Sequence, residues 1–313
     1  MASLSTKAPH VYVLCGLLTL SDVPLTSVPE SRGDKNSADV RIRLSSGRSP
    51  IPKKAGSYVY QHSSERSLIR IEGVGDFEVC TGRDIRVWPF PGVNGTQKNI
   101  EIFLFGPVWA TLCHQRGMLP LHASAIATSR GIIAFAGHSG AGKSTTSALL
   151  SSLKYELVTD DILPISFNRD FVPGAWPYLR RLKLKSDAIS HLALVPTEQV
   201  SETIDNEKWF VRPRLGASDR WNRLDRVYIL DFDPRVSSVT IDRISGAEAV
   251  FALVDQTYHF HFISSSGQFG DHLATCAKLA SQVAVYRLRR PRSISVGKEL
   301  ESILCGHLEE DSA

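Results

Sequence analysis

The chain has 313 residues, 42 % of them hydrophobic, and its 36 Lys plus Arg against 32 Asp plus Glu give a formal charge of +4. That length and apolar content can bury one large core or two modest ones, which excludes a mainly disordered, collagenous or low-complexity chain. So small a net charge makes no case for a nucleic-acid partner. The cysteines, Cys15, Cys80, Cys113, Cys276 and Cys305, are scattered and form no C-x-x-C pair, so small buried hydrophobes in a reducing compartment are expected rather than a disulfide framework or a zinc site.

Along the chain, residues 1–115 read as a β-rich N-terminal domain. Val11 to Leu20 has the length of a signal-peptide core, but only Lys7 precedes it and no small-x-small site follows before Pro24, so it is expected to be a buried strand. VRIRL, SYVYQ, SLIRIEGV, DFEVC and DIRVWPF are further strands, punctuated by Gly47, Gly56, Gly75 and Gly82. Val28 to Ala38 and Asn94 to Lys98 read as loops, and EIFLFGPVWATLC as a strand passing into a short helix. No apolar run reaches the roughly 18 residues of a spanning helix, so a cytoplasmic protein without a membrane partner is expected.

Residues 116–313 read as a second, α/β domain. LHASAIAT and GIIAFAG are strands joined at Ser129-Arg130-Gly131, and the second runs into a glycine-rich loop and a helix from about Lys143 to Leu153. ELVT is a strand that ends in Asp160 and Asp161. RVYILDF, SVTIDRI and VAVYRL are strands, whereas GAEAVFALV, His272 to Ser281 and Val296 to Leu308 are helices.

The loop Gly137-His138-Ser139-Gly140-Ala141-Gly142-Lys143-Ser144 fits G-x-x-x-x-G-K-[ST] at every fixed position, between a strand and a helix as its mechanism requires. Glycines let successive N–H groups curl round phosphate oxygens, and the helix N-terminus adds partial positive charge. Lys143 supplies a point charge for the β- and γ-phosphates, and the Ser144 hydroxyl a ligand for Mg²⁺. Asp160 or Asp161 can reach Mg²⁺ or an attacking hydroxyl. Neighbours on a strand point to opposite faces, so both serve only if the strand ends and the chain bends there. His122 opens the preceding strand, and a neutral imidazole near either aspartate could orient it or share a proton.

The segment LHASAIATSRGIIAFAGHSGAGKSTTSALLSSLKYELVTDD, in the order His, turn, P-loop, helix and Asp pair, resembles the catalytic core of the HPr kinase/phosphorylase family. The resemblance covers residues 119–166 and, more loosely, the rest of the chain to its C-terminus. It implies an α/β P-loop kinase core, like the C-terminal domain of HPr kinase, preceded by a β-rich region. The implied activity is transfer of the γ-phosphoryl group of ATP, with Mg²⁺, to a serine in a peptide or small protein. Catalytic roles then fall on His122, Asp160, Asp161 and Lys143, nucleotide binding on Gly137 to Thr145, and metal binding on Ser144 and Asp161.

The whole chain is more similar to a divergent branch, in which a β-rich part precedes CHQRGMLPLHASA, with a TY and an RPR segment downstream, here Thr257-Tyr258 and Arg290 to Arg292. Some members of that branch accompany lasso-peptide biosynthesis and phosphorylate the precursor at its C-terminal serine, which ranks such a peptide first among acceptors. An HPr-like carrier and a small metabolite are the alternative acceptors, and a non-catalytic nucleotide-binding regulator is the alternative to an enzyme. Association into a homo-oligomer stays open. The family's acidic residue at the second loop position is His138 here, and its Glu, Arg-Gly signature has no counterpart in PGAWPYLRRLKLK, which leaves a second protein ligand for Mg²⁺ and the reverse reaction without carriers. Two basic clusters, Arg180, Arg181, Lys183 and Lys185, and Arg287, Arg289, Arg290 and Arg292, read either as solvated faces or as binders of phosphate or an acceptor carboxylate; Lys208, Arg212 and Arg214 are further candidates.

Overall fold

The computed structural model describes residues 9–52, 60–92, 96–201, 207–214, 216–291 and 297–309. Lys7, Gly56, residues 57–59 of SYVYQ, Asn94, Arg292 and Val296 lie outside them. The chain forms two compact units, Met1–Pro120 with Ser201–Asn206 and Tyr258–Gly270, and Leu121–Val200 with Glu207–Thr257 and Asp271–Ala313. The first unit therefore draws on segments far beyond the expected boundary at residue 115.

The first unit is built on a sheet with strand order β1-β2-β3-β7-β6-β5-β4. Its strands are β1 (His10–Leu14), β2 (Leu17–Ser21), β3 (Val40–Leu44), β4 (Tyr60–His62), β5 (Arg66–Ile71), β6 (Gly75–Cys80) and β7 (Asp84–Pro89). The run from Val11 to Leu20 is two strands rather than one. Leu14 pairs with Leu17 across Cys15 and Gly16, whose φ of 53° and 76° give the turn that matches the twist of a two-residue hairpin.

EIFLFGPVWATLC is two helical stretches that meet at a kink, not a strand leading into a helix. In α1 (Gln97–Phe103) the Thr96 side chain caps the first turn by accepting from the Asn99 N–H at 3.4 Å. A wide turn over Leu104–Val108 breaks at Gly106, ahead of Pro107, and α2 (Trp109–Gln115) continues. Leu104, Phe105, Val108, Trp109, Leu112 and Cys113 are all buried. A helix buried on every side shows no 3.6-residue alternation, so its sequence reads like that of an interior strand. Lys98, expected in a loop, lies in α1.

β8 (Leu119–Leu121) leads into the second unit. There β9 (Ala123–Ala127) lies antiparallel between β10 (Ile132–Ala136) and, past the helix α3 (Lys143–Leu153), β11 (Glu156–Thr159). Next come β12 (Leu163–Phe167), β13 (Pro173–Ala175), β14 (Leu182–Lys185), α4 (Ser186–His191), β15 (Glu198–Gln199), β16 (Lys208–Val211), β17 (Asn222–Phe232), β18 (Thr240–Ile244) and α5 (Gly246–Asp255). After α6 (His261–Ser266), which belongs to the first unit, the chain closes with α7 (Phe269–Gln282), β19 (Ala284–Arg290) and α8 (Gly297–Glu309).

β10, β17 and β19 run parallel in that order, so their C-terminal ends open on the same edge of the sheet. Apolar side chains of β10, β17 and β19, with Leu150 of α3 and Leu300 and Leu304 of α8, form one core. On another side of α3, Ala148 packs with Leu157, Leu182, Leu184 and Val211, which brings β14 against the helix. All five cysteines are free, with Cys15, Cys113 and Cys276 buried.

Candidate functional site

The loop between β10 and α3 is shaped by its glycines. Gly137, Gly140 and Gly142 have φ of 151°, 84° and 96°, values that L side chains rarely adopt. At Gly137 a Cβ would also lie 2.7 Å from the Leu230 carbonyl oxygen, and at Gly142 it would meet the Arg290 guanidinium. The Thr146 N–H reaches the Gly142 carbonyl at 2.8 Å and starts the helix.

Lys143 is buried and folds back over this loop, its Nζ donating to the carbonyls of Gly137 at 2.6 Å and His138 at 3.3 Å. Burial lowers its pKa, while Asp161 and Asp160 pull the other way. His138 reaches Asp255 at 3.2 Å on the surface, Ser139 and Gly140 are exposed, and Thr145 is half-buried.

β11 ends at Thr159, whose hydroxyl donates to the Ile162 carbonyl at 2.8 Å and pins the turn that carries both aspartates. Asp161 has φ of 80°, so the chain bends at the point where the two carboxylates need it to. Asp160, 4 % exposed, accepts from the Ser144 hydroxyl at 2.8 Å on one oxygen and from the Lys183 backbone N–H at 2.8 Å on the other. Desolvation raises its pKa against those two hydrogen bonds.

Asp161 faces elsewhere, with Lys183 Nζ at 3.0 Å from one oxygen and His122 Nε2 at 3.5 Å from the other. Burial alone would raise its pKa, yet Lys183, with His122 and Lys143, takes it down to about 2. His122 sits just before β9, and the pairing of Ala123 with Ala136 sets it level with the start of the loop. Although its side chain is 32 % exposed, burial and then Lys143 lower its pKa to about 4 against the opposing pull of Asp161. At neutral pH the imidazole is thus uncharged, its contact with Asp161 is dipolar, and the two ammonium groups hold that carboxylate ionised.

The fold therefore gathers Lys143, Ser144, Asp160, Asp161 and His122, but it joins Ser144 to Asp160 and not to Asp161, the aspartate expected to share a metal with it. Oxygen donors of this kind suit a hard cation: a hydroxyl and a buried carboxylate in contact would hold Mg²⁺ through two protein atoms, with phosphate and water completing its shell. Among the described residues no cluster of three or more His, Cys, Asp or Glu suited to a metal is present.

Lys183 is the member of the first basic cluster whose role the sequence concealed. Its neighbours are engaged otherwise: Arg180 with Asp219 at 2.8 Å, Arg181 over the Phe210 ring at 3.8 Å, and Lys185 with Glu207 at 2.8 Å. The available signal was the alternation in LKLK. Leu182 and Leu184 are buried, which turns Lys183 to the other face of β14, towards the aspartates.

No protein-family model and no curated protein matches the chain. Among solved structures it is similar to the HPr(Ser) kinase/phosphatase from Coxiella burnetii, with a TM-score of 0.34 and 9 % identity over 62 % of this chain and 99 % of that one. A likeness of that size has no bearing on activity.

Proposed function

We propose that the chain is a P-loop phosphotransferase that moves the γ-phosphoryl group of ATP to a serine hydroxyl of a peptide or small protein. The observation that carries this reading is the hydrogen bond from Ser144 to Asp160 at 2.8 Å, next to a buried Lys143 on a glycine loop, with Asp161 held apart in its own charged setting. On binding nucleotide, Lys143 exchanges two loop carbonyls for phosphate oxygens, where its charge offsets that of the transferred group. Ser144 and Asp160 would hold Mg²⁺, which when bound would supply positive charge against that of the phosphates. Asp161 accepts the hydrogen bond of the acceptor hydroxyl. A carboxylate with a pKa of about 2 is a weak base, which suits orienting a hydroxyl in a loose transition state better than removing its proton early. His122, neutral beside it, is the group that can take up the proton.

The first-ranked acceptor is a lasso-peptide precursor ending in serine, on the likeness of CHQRGMLPLHASA and the TY and RPR segments to that branch. The test is to incubate the protein with labelled ATP, Mg²⁺ and a panel of a serine-terminated precursor peptide, an HPr-like carrier and small metabolites. Lys143→Ala is expected to abolish transfer, and Asp160→Asn or Asp161→Asn to lower the rate far more than ATP binding. Full activity in all three variants would sink the assignment.

A further inference from the structure

Arg290, at the end of β19, differs from the neighbours in its cluster. Arg287 pairs with Glu248 at 3.2 Å and Arg289 with Asp242 at 2.6 Å. Among the described residues no carboxylate pairs with Arg290. Its guanidinium lies 4.5 Å over the Phe232 ring, and its Nη2 donates to the Ala141 carbonyl at 3.2 Å. The same nitrogen occupies the space that a Cβ on Gly142 would need, so the last glycine of the loop is shaped round this side chain.

Side-chain cations hold that loop near both of its ends. Lys143 holds the Gly137 carbonyl at 2.6 Å at one end, and Arg290 holds Ala141 near the other. α3 adds the partial positive charge of its N-terminus between them. The carboxylates around it are engaged elsewhere, Asp160 by Ser144, Asp161 by Lys183, Asp255 by His138, and Asp233, whose N–H donates to the Arg290 carbonyl, by Arg235. A guanidinium that is partly buried without an acid, and whose pKa burial lowers, is in an unfavourable place until an anion arrives. Its planar fork of five donors has most of them left over after Ala141, and it matches phosphate oxygens well.

We propose that Arg290 is a ligand of the nucleotide's polyphosphate chain, the second side-chain cation of the site, which rests on the nucleotide-binding reading given above. Phe232 holds the guanidinium plane, and the Ala141 carbonyl keeps it at the loop until phosphate oxygens take up its free donors.

The test uses the full chain, thermal melting, and titration with ATP plus Mg²⁺ and with inorganic tripolyphosphate, which lacks a base. Arg290→Met keeps the aliphatic stem on Phe232 and removes the charge. Without nucleotide this variant is expected to melt at or above the wild-type temperature. Its affinity for ATP and for tripolyphosphate should each fall at least about tenfold, the loss of a charge-assisted hydrogen bond. Arg290→Lys, with charge but no fork, should lose several-fold for both, and it decides the matter alone if the Met variant does not fold. Unchanged affinity, or a loss for ATP without a loss for tripolyphosphate, would overturn the assignment of Arg290 while leaving the nucleotide site intact. Failure of the wild type to bind ATP would overturn both.

Discussion

His122→Gln tests the charge state of the imidazole beside Asp161. Burial and Lys143 take the imidazole from its ordinary value near 6.5 to about 4. Between those values the unfolded chain holds a proton that the folded protein does not, so stability is complete above about pH 6.5 and falls as pH drops towards 4. The full displacement corresponds to about 3 kcal/mol, and because the side chain is 32 % exposed, solvent screening reduces this to roughly 1–2 kcal/mol. Gln has no titration in this range and still presents an amide towards Asp161. Urea or thermal unfolding of both proteins from pH 8 to pH 4.5 should show the wild type losing that much more than the variant below pH 6.5, with parallel curves above it. Parallel curves throughout would refute a buried neutral imidazole. A wild type that gains on the variant as pH falls would show instead a protonated His122 paired with Asp161.

Lys183→Met leaves Asp161 partly buried without its nearest cation, 3.0 Å away in the wild type, and should cost about 1–2 kcal/mol at pH 7, read by chemical denaturation. In steady-state kinetics the same variant should lose at least about tenfold in turnover with a smaller change in ATP affinity. Gly142→Ala must adopt φ near 96° and displace Arg290, so a loss of about 1–2 kcal/mol and a smaller nucleotide-induced rise in melting temperature are expected. In the first unit, Arg70→Met strips a two-pronged partner, 2.7 Å on each oxygen, from the buried Asp76, and unfolding should register a loss of about 3–5 kcal/mol.

What the sequence made legible follows from the length of the physical signal. A fixed-spacing loop with a strand before it and a helix after it is a local feature, and α3 starts at Lys143 and ends at Leu153 as its residues suggest. The hairpin of β9 and β10 was readable from two apolar runs and a Ser-Arg-Gly turn, and its register carries His122 to the loop. The bend at Asp161 was recognisable only as a requirement, since nothing in TDD specifies a positive φ. The partners of the two aspartates were beyond reach for a different reason. Lys183 lies 22 residues from Asp161 on a strand whose position depends on Leu182 and Leu184 packing with Ala148 of α3, a long-range contact with no local signature. EIFLFGPVWATLC misled because an interior helix and an interior strand bury equally apolar faces.

Because Tyr258–Gly270 belongs with Met1–Pro120, the stretch that carries the glycine-rich loop interrupts its host rather than following it. Phe262 and Ile263 are each 3 % exposed, and the Phe262 ring stands 3.6 Å from that of His62. A chain cut after Pro120 would bare the surface these two residues cover and present it to any other apolar patch in solution. On the ribosome, the N-terminal unit cannot close until residue 270 has emerged, so the loop, its lysine and both aspartates are synthesised before the unit that surrounds them in sequence is complete.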